Sequence, residues 1–325
     1  MSETLDPFVN LVGQDQAVAL LRAAIAQDRL APAYLVLGPE GVGRGRLALG
    51  FSELILRQGS PPERWPALAR SVRARNHPDL LWVEPTYTHK GELFTASEAE
   101  AQGLQRRSLP QIRIEQVRAI AKFLARPPLL ADRAVVVVAG AEQMAEAPAN
   151  ALLKTLEEPG RATLILIAPG PEALLPTLLS RCQRLPCRRL SRAELAQVLT
   201  RLGRDDLLQD PTLLAWAQGS PGAVLTGAAQ GAAIAPELRQ ALLTPPRDPL
   251  EALNLAKQVE QSLDVAAQVW LLDYLQPHYW QDYRTQGWRQ LPLPLLDQAR
   301  QHLLHYVQPR LVWECLLLAL GEIRP

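Results

Sequence analysis

Two rhythms of apolar residues run along this chain, and they change over near its middle. In the first half, unbroken apolar runs alternate with stretches of helical spacing. Gln16–Ala26 places Val18, Leu21 and Ile25 on one helical face, Ala33–Leu37 is a compact apolar run ending at a glycine-rich turn, and Arg46–Leu56 returns to helical spacing. Ala134–Ala139, with its consecutive valines, and Thr163–Ala168, closed by Pro169-Gly-Pro171, read as strands buried on both faces. Ile112–Leu124 is a helix by the spacing of Val117, Ile120, Ala121 and Leu124, and Ala149–Glu158 is a helix stopped by Pro159. Buried strands alternating with helices predict an α/β domain with a parallel sheet covered on both faces. Gly59–Leu109, rich in Pro, Arg, Ala and Glu, has weak periodicity and reads as an insertion or irregular surface segment.

After Pro186 the strand signal fades. Ser191 and Glu194 form a capping-box pattern that opens a helix over Ser191–Leu202, and Pro211–Gln218 is a short helix ending at Gly219. Amphipathic helices follow at Pro236–Leu243, Leu250–Gln261, Val265–Tyr274, Leu295–Tyr306 and Arg310–Leu320. The pattern divides the chain into an α/β domain (1–187), a small helical domain (188–230) and a C-terminal helical domain (231–325).

Composition narrows the function. The chain has 325 residues, 34 basic against 33 acidic, a formal charge of +1. A protein that wraps nucleic acid alone carries a large basic excess, so an independent nucleic-acid binder is disfavoured. Met1–Asn10 is acidic and poor in apolar residues, unlike a secretory leader, and no run approaches the roughly 18 apolar residues of a membrane span. Cys182, Cys187 and Cys315 are sparse and odd in number, as in a reduced cytoplasmic protein. Cys182 and Cys187 make at most half a metal site. No set of metal-binding carboxylates suggests a polymerase.

The glycine-rich turn carries the first chemistry. Gly38-Pro-Glu-Gly-Val-Gly-Arg-Gly45 follows a strand and precedes a helix, the context of a phosphate-binding loop of pattern G-x-x-x-x-G-K-[ST]. In such a loop backbone N–H groups and the helix N-terminus cradle phosphate, the lysine reaches the outer phosphates and the hydroxyl holds magnesium. Here Gly38, Gly41 and Gly43 remain, but Arg44 stands at the lysine position and Gly45 at the hydroxyl position. A guanidinium is no equivalent of an ammonium, and Gly45 has no ligand atom. The strand Val135–Val138 is followed by Ala139 and Gly140, where a working site needs acids for magnesium and water. Two requirements fail together, so the turn reads as vestigial. An active ATPase using Arg44 as a substitute is the alternative.

Leu11-Val-Gly-Gln14, Ala33-Tyr-Leu35, Asn150-Ala-Leu-Leu-Lys-Thr-Leu-Glu-Glu-Pro159 and Ser180-Arg-Cys182, in this order and spacing, resemble the bacterial clamp-loader branch of the AAA+ ATPases. The likeness covers about residues 8–225 well and continues more weakly to the last helix. Within the branch the chain resembles the delta-prime type rather than the tau/gamma motors. Ala168 stands where motors carry a polar sensor and Gly222 where they carry a sensor arginine, and Asn76-His-Pro-Asp79 is delta-prime-like.

The resemblance implies an AAA+ domain, a helical lid and an all-α collar. It implies a role in a DNA polymerase III clamp loader, beside tau/gamma and delta subunits, on a sliding clamp and primed DNA, with no cofactor required and residual ATP or ADP binding left open. It implies that Arg181, flanked by Ser180 and Cys182, reaches a neighbour's ATP. Taken alone, Arg181 reads as part of a solvated basic face or partner surface with Arg184, Arg188, Arg189 and Arg192, and only its setting in Ser180-Arg-Cys182 gives it the other role. Many family members carry a four-cysteine zinc module after the loop helix; Gly59–Arg75 has no cysteine, so no zinc is expected there. His302 and His305 are a weak metal pair, His77 a turn residue, and the C-terminal tryptophans and tyrosines core or interface rather than a base-stacking platform.

Overall fold

A computed structural model describes residues 6–89, 92–95, 98 and 110–324, which form two compact units, Met1–Arg189 and Leu190–Pro325. In the first unit the elements run α1 (Asp15–Ala26), β1 (Ala33–Leu37), α2 (Arg44–Arg57), α3 (Trp65–Arg73), β2 (Leu80–Val83), β3 (Thr86–His89) and β4 (Glu92–Thr95). They continue with α4 (Ile114–Leu124), β5 (Ala134–Ala139), α5 (Glu146–Glu157), β6 (Ala162–Ala168), α6 (Pro176–Leu179) and β7 (Gln183–Pro186). The five-stranded sheet has order β2-β5-β6-β1-β7, with every neighbouring pair parallel. β3 and β4 form a separate antiparallel hairpin.

The continuous apolar strands follow from burial on both faces. Leu35, Val136, Val138, Leu164, Leu166 and Ala168 join one core cluster with Val117 and Ile120 of α4 and Leu152 and Leu156 of α5. On the opposite face α2 packs on β1, β5 and β6, and Phe51 meets Tyr34 edge-on with ring centroids 4.8 Å apart. Alternate side chains therefore have apolar partners on each side, with buried Thr163 of β6 the polar exception in β1, β5 and β6.

The reading of 59–109 as irregular is corrected for most of the described part. It contains α3, the edge strand β2 and the β3–β4 hairpin. β2 escapes a pattern reading because only four residues pair, and an edge strand is covered on one side alone. Residues 90, 91, 96, 97 and 99–109 of that segment lie outside the described residues. The cysteine-free stretch 59–75 packs through Leu68, Ala69 and Val72, and Arg57 lies 4.8 Å from the Trp65 ring while also paired with buried Glu53.

The second unit is helical: α7 (Arg192–Arg201), α8 (Pro211–Ala217), α9 (Pro221–Ala232), α10 (Pro236–Leu242), α11 (Pro249–Ser262), α12 (Val265–Gln286), α13 (Leu293–Leu304) and α14 (Pro309–Ile323). Ser191 caps α7, with Glu194 returning the bond to the Ser191 amide at 2.8 Å. The aromatic residues are mainly core. Trp313 and Tyr279 are fully buried, Trp313 donates to Gln268 at 2.9 Å and Tyr279 to the Leu242 carbonyl at 3.0 Å. Trp280 and Tyr306 are exposed. α12 runs well past the predicted end at Tyr274 and carries Pro277 inside it; Leu275 and Tyr279, buried on either side of the proline, hold the helix together across the lost hydrogen bond.

Candidate functional site

The glycine loop leaves β1, the strand between β6 and β7, and delivers the chain into the N-terminus of α2. Two of its glycines are demanded by the protein itself. A Cβ on Gly38 would lie 2.3 Å from the Cys187 carbonyl oxygen, where β7 ends. Gly43 caps α2 at φ 105°, a left-handed conformation, with Leu11 2.9 Å from where its Cβ would be. Gly45 differs: a Cβ there meets nothing within 4 Å. A hydroxyl side chain would fit, so no steric requirement keeps this position a glycine. Arg44, half-buried at the first helical position, lies close enough to oppose the effect of burial on Cys187, which still pushes that thiol up to about 11.

Gln14 holds the loop in place. Its side chain is buried, donates to the Val42 carbonyl (3.3 Å) and the Arg188 carbonyl (2.8 Å), and accepts from the Arg188 amide (2.9 Å). One amide thus ties the start of α1, the glycine loop and the exit of β7 together. At the neighbouring strand ends, β5 finishes at Ala139 and turns at Gly140, and Glu142 lies in the one-turn helix Ala141–Gln143 beyond. β6 finishes at buried Ala168, whose carbonyl accepts the Gly38 amide at 3.4 Å. Positions 45, 139, 140 and 168 therefore offer no side-chain ligand to a cation or phosphate.

Arg181 is mounted elsewhere, just after α6. Its Nε and Nη2 donate to one carboxylate oxygen of Glu157, at 3.1 and 2.7 Å, and Nη1 donates to the Thr177 carbonyl at 3.1 Å and to Ser180 Oγ at 3.3 Å. Ser180 ends α6, its hydroxyl bonded to the Thr177 carbonyl at 3.1 Å. Cys182 packs against the main core cluster, and burial pushes its thiol up to about 11. The structure thus brings the Ser-Arg-Cys residues together with the end of α5, the other specific stretch of the sequence. It does not bring Arg181 to this chain's own glycine loop through any hydrogen bond or ion pair found among the described residues. Among those residues no three His, Cys, Asp or Glu side chains cluster to hold a metal ion. His302 and His305 lie exposed at the end of α13, and His305 turns back to the Gln301 carbonyl.

Comparison with known proteins decides the family. Residues 13–191 match a family model described as DNA polymerase III, delta subunit, and residues 193–320 match one described as cyanobacterial DNA polymerase III delta prime, C-terminal domain. The chain belongs to the delta-prime family of DNA polymerase III subunits. It is 32% identical over 176 residues to DNA polymerase III subunit delta' of Bacillus subtilis, covering 53% of this chain and 47% of that one. It is 35% identical over 202 residues to the delta' subunit of Pseudomonas aeruginosa, covering 59% and 54%. The matches thus span about half the length of these relatives. A DNA polymerase III gamma subunit-related protein of Thermotoga maritima superposes with TM-score 0.47 at 21% identity, covering 95% of this chain and all of that one.

In this delta-prime family chain the Asn76–Asp79 stretch has a clear local job. The buried Asp79 carboxylate accepts three backbone amides, from Leu129 (2.6 Å), Leu130 (2.8 Å) and Ala131 (2.9 Å), fixing the loop that leads into β5. His77 Nδ1 accepts the Asp79 amide at 3.1 Å, and burial lowers the pKa of the imidazole. The roles of Asp79, Glu157 and Gln14 are not visible in their motifs, because Glu157 meets Arg181 24 residues away and Gln14 meets Arg188 174 residues away.

Proposed function

We propose that this chain is a clamp-loader subunit that does not hydrolyse ATP and that places Arg181 on the nucleotide of a neighbouring subunit. The observation that carries the reading is a division of labour within the first unit. The loop after β1 is braced by Gln14 and Cys187 and lacks lysine, hydroxyl and strand-end acids, while Arg181 stands exposed on a rigid mount bonded to none of it. A guanidinium presented outward suits the transition state of phosphoryl transfer, where charge spreads over the equatorial oxygens, and such arginines contribute about a thousandfold or more. The partners in this reading are tau/gamma and delta subunits, with the sliding clamp and primed DNA met through the assembly in the cytoplasm. Residues 188–230 act as the lid and 231–325 as the collar.

The test is an assembly reconstituted with Arg181→Ala, its other nucleotide sites silenced so that the site facing this chain is read alone. ATP hydrolysis at that site falls on the order of a thousandfold. An unchanged rate removes the proposal.

A further inference from the structure

Arg181 is an exposed arginine, yet it is not a free one. The two edges of its guanidinium are occupied from two directions. Glu157 takes Nε and Nη2 on a single oxygen, and the last turn of α6 takes Nη1 through the Thr177 carbonyl and Ser180 Oγ. Both mounts rest on the same core. Leu152 and Leu156 anchor the end of α5, and Leu178, Leu179 and Cys182 anchor the chain on either side of Arg181. Glu157 is the last residue of α5, and Pro159 keeps the helix from continuing.

A long arginine loses rotamer freedom when it meets a ligand, and that cost falls if the side chain is already held in the productive orientation. A carboxylate that grips one edge does this while leaving the group charged and half-exposed. We propose that Glu157 is the positioning residue for Arg181: it aims the guanidinium at the polyphosphate of the neighbour's nucleotide. The inference rests on the trans-arginine reading and names a residue that reading does not require. Glu157 touches no nucleotide and acts through Arg181 alone.

This has a specific kinetic signature. The neighbour's own loop binds the nucleotide, so loss of Glu157 leaves KM for ATP unchanged. It lowers kcat at the facing site by about tenfold, because a misaimed group keeps part of its effect and a deleted one keeps none. Glu157→Gln keeps an acceptor oxygen for Nε and Nη2 and recovers part of the rate. Glu157→Ala added to Arg181→Ala lowers the rate no further, since the two act as one unit.

The experiment compares assemblies carrying Glu157→Ala, Glu157→Gln, Arg181→Ala and the double variant, reading kcat and KM at the facing site. Thermal unfolding of each variant chain is measured alongside. Reduced kcat, unchanged KM, partial rescue by glutamine and non-additivity together support the assignment. A full rate in Glu157→Ala beside a low rate in Arg181→Ala overturns it and leaves the trans-arginine reading standing. A full rate in Arg181→Ala overturns that reading itself. A further drop in the double variant, or a rate loss that tracks lowered melting and is not recovered by glutamine, shows that Glu157 acts through folding or another contact, and overturns the assignment too.

Discussion

Replacing Gln14 with alanine tests whether the glycine loop is held by the protein rather than awaiting a nucleotide to order it. The substitution removes three hydrogen bonds, two donated and one accepted, from a side chain only 3% exposed. At about 0.5–1.5 kcal/mol net for each bond, the loss is about 2–4 kcal/mol. For a unit of this size that lowers the melting temperature by roughly 4–16 °C. Hydrogen exchange gives the local reading. The Arg188 amide donates to Gln14 Oε1 and loses that protection in the variant, while amides inside β5 change only by the global amount. Gln14→Glu is as damaging, because a carboxylate cannot donate to the Val42 and Arg188 carbonyls. Gln16→Ala, exposed two residues on, is the control and changes stability by less than about 0.5 kcal/mol. A loss below about 1 kcal/mol in Gln14→Ala, with unchanged exchange at Arg188, refutes the reasoning.

Three further predictions follow from other parts of the molecule. Arg44→Lys with Gly45→Thr restores the loop pattern in a place where the new side chain at 45 meets no obstruction, so the variant folds and binds ATP more tightly, yet shows no turnover because Ala139 and Gly140 supply no acid; turnover by the isolated variant contradicts this. Burial lowers the His77 pKa below the ordinary 6.5, so its contribution to stability is present above pH 6.5 and is lost as pH falls through the lowered folded value. His77→Gln removes that part of the acid-side decline in chemical denaturation, and an unchanged pH profile counts against it. With thiols pushed up to about 11, Cys182 and Cys187 react with iodoacetamide at neutral pH on the order of a hundredfold more slowly than an ordinary exposed thiol, and exposed Cys315 is labelled first in peptide mapping.

The parts of the fold that were legible are those where one residue type has one physical consequence. Four valines in Val135–Val138 admit only a strand covered on both sides, and β5 occupies the stretch Ala134–Ala139 read for it. Ser191 and Glu194 announce α7 because their bonds are local. The illegible parts depend on distant neighbours. β7, Gln183–Pro186, has one buried side chain, Leu185, and is a strand only because β1 is beside it. α9, rich in Ala and Gly, has little polar contrast to show a helical face. At the site, the loop residues and Arg181 could be named from their motifs. That Glu157 grips Arg181, and that Gln14 bonds the loop to the exit of β7, are facts of tertiary structure.

In the proposed function the chemistry of this chain is directed at a neighbour's nucleotide and not at its own. The most direct measurement is ATP hydrolysis by the assembly at the site facing this chain, built once with Arg44→Ala and once with Arg181→Ala. The expected result is that the Arg44→Ala assembly hydrolyses ATP at the unaltered rate and that the Arg181→Ala assembly is slower on the order of a thousandfold. A lost rate with Arg44→Ala and a retained rate with Arg181→Ala would contradict it.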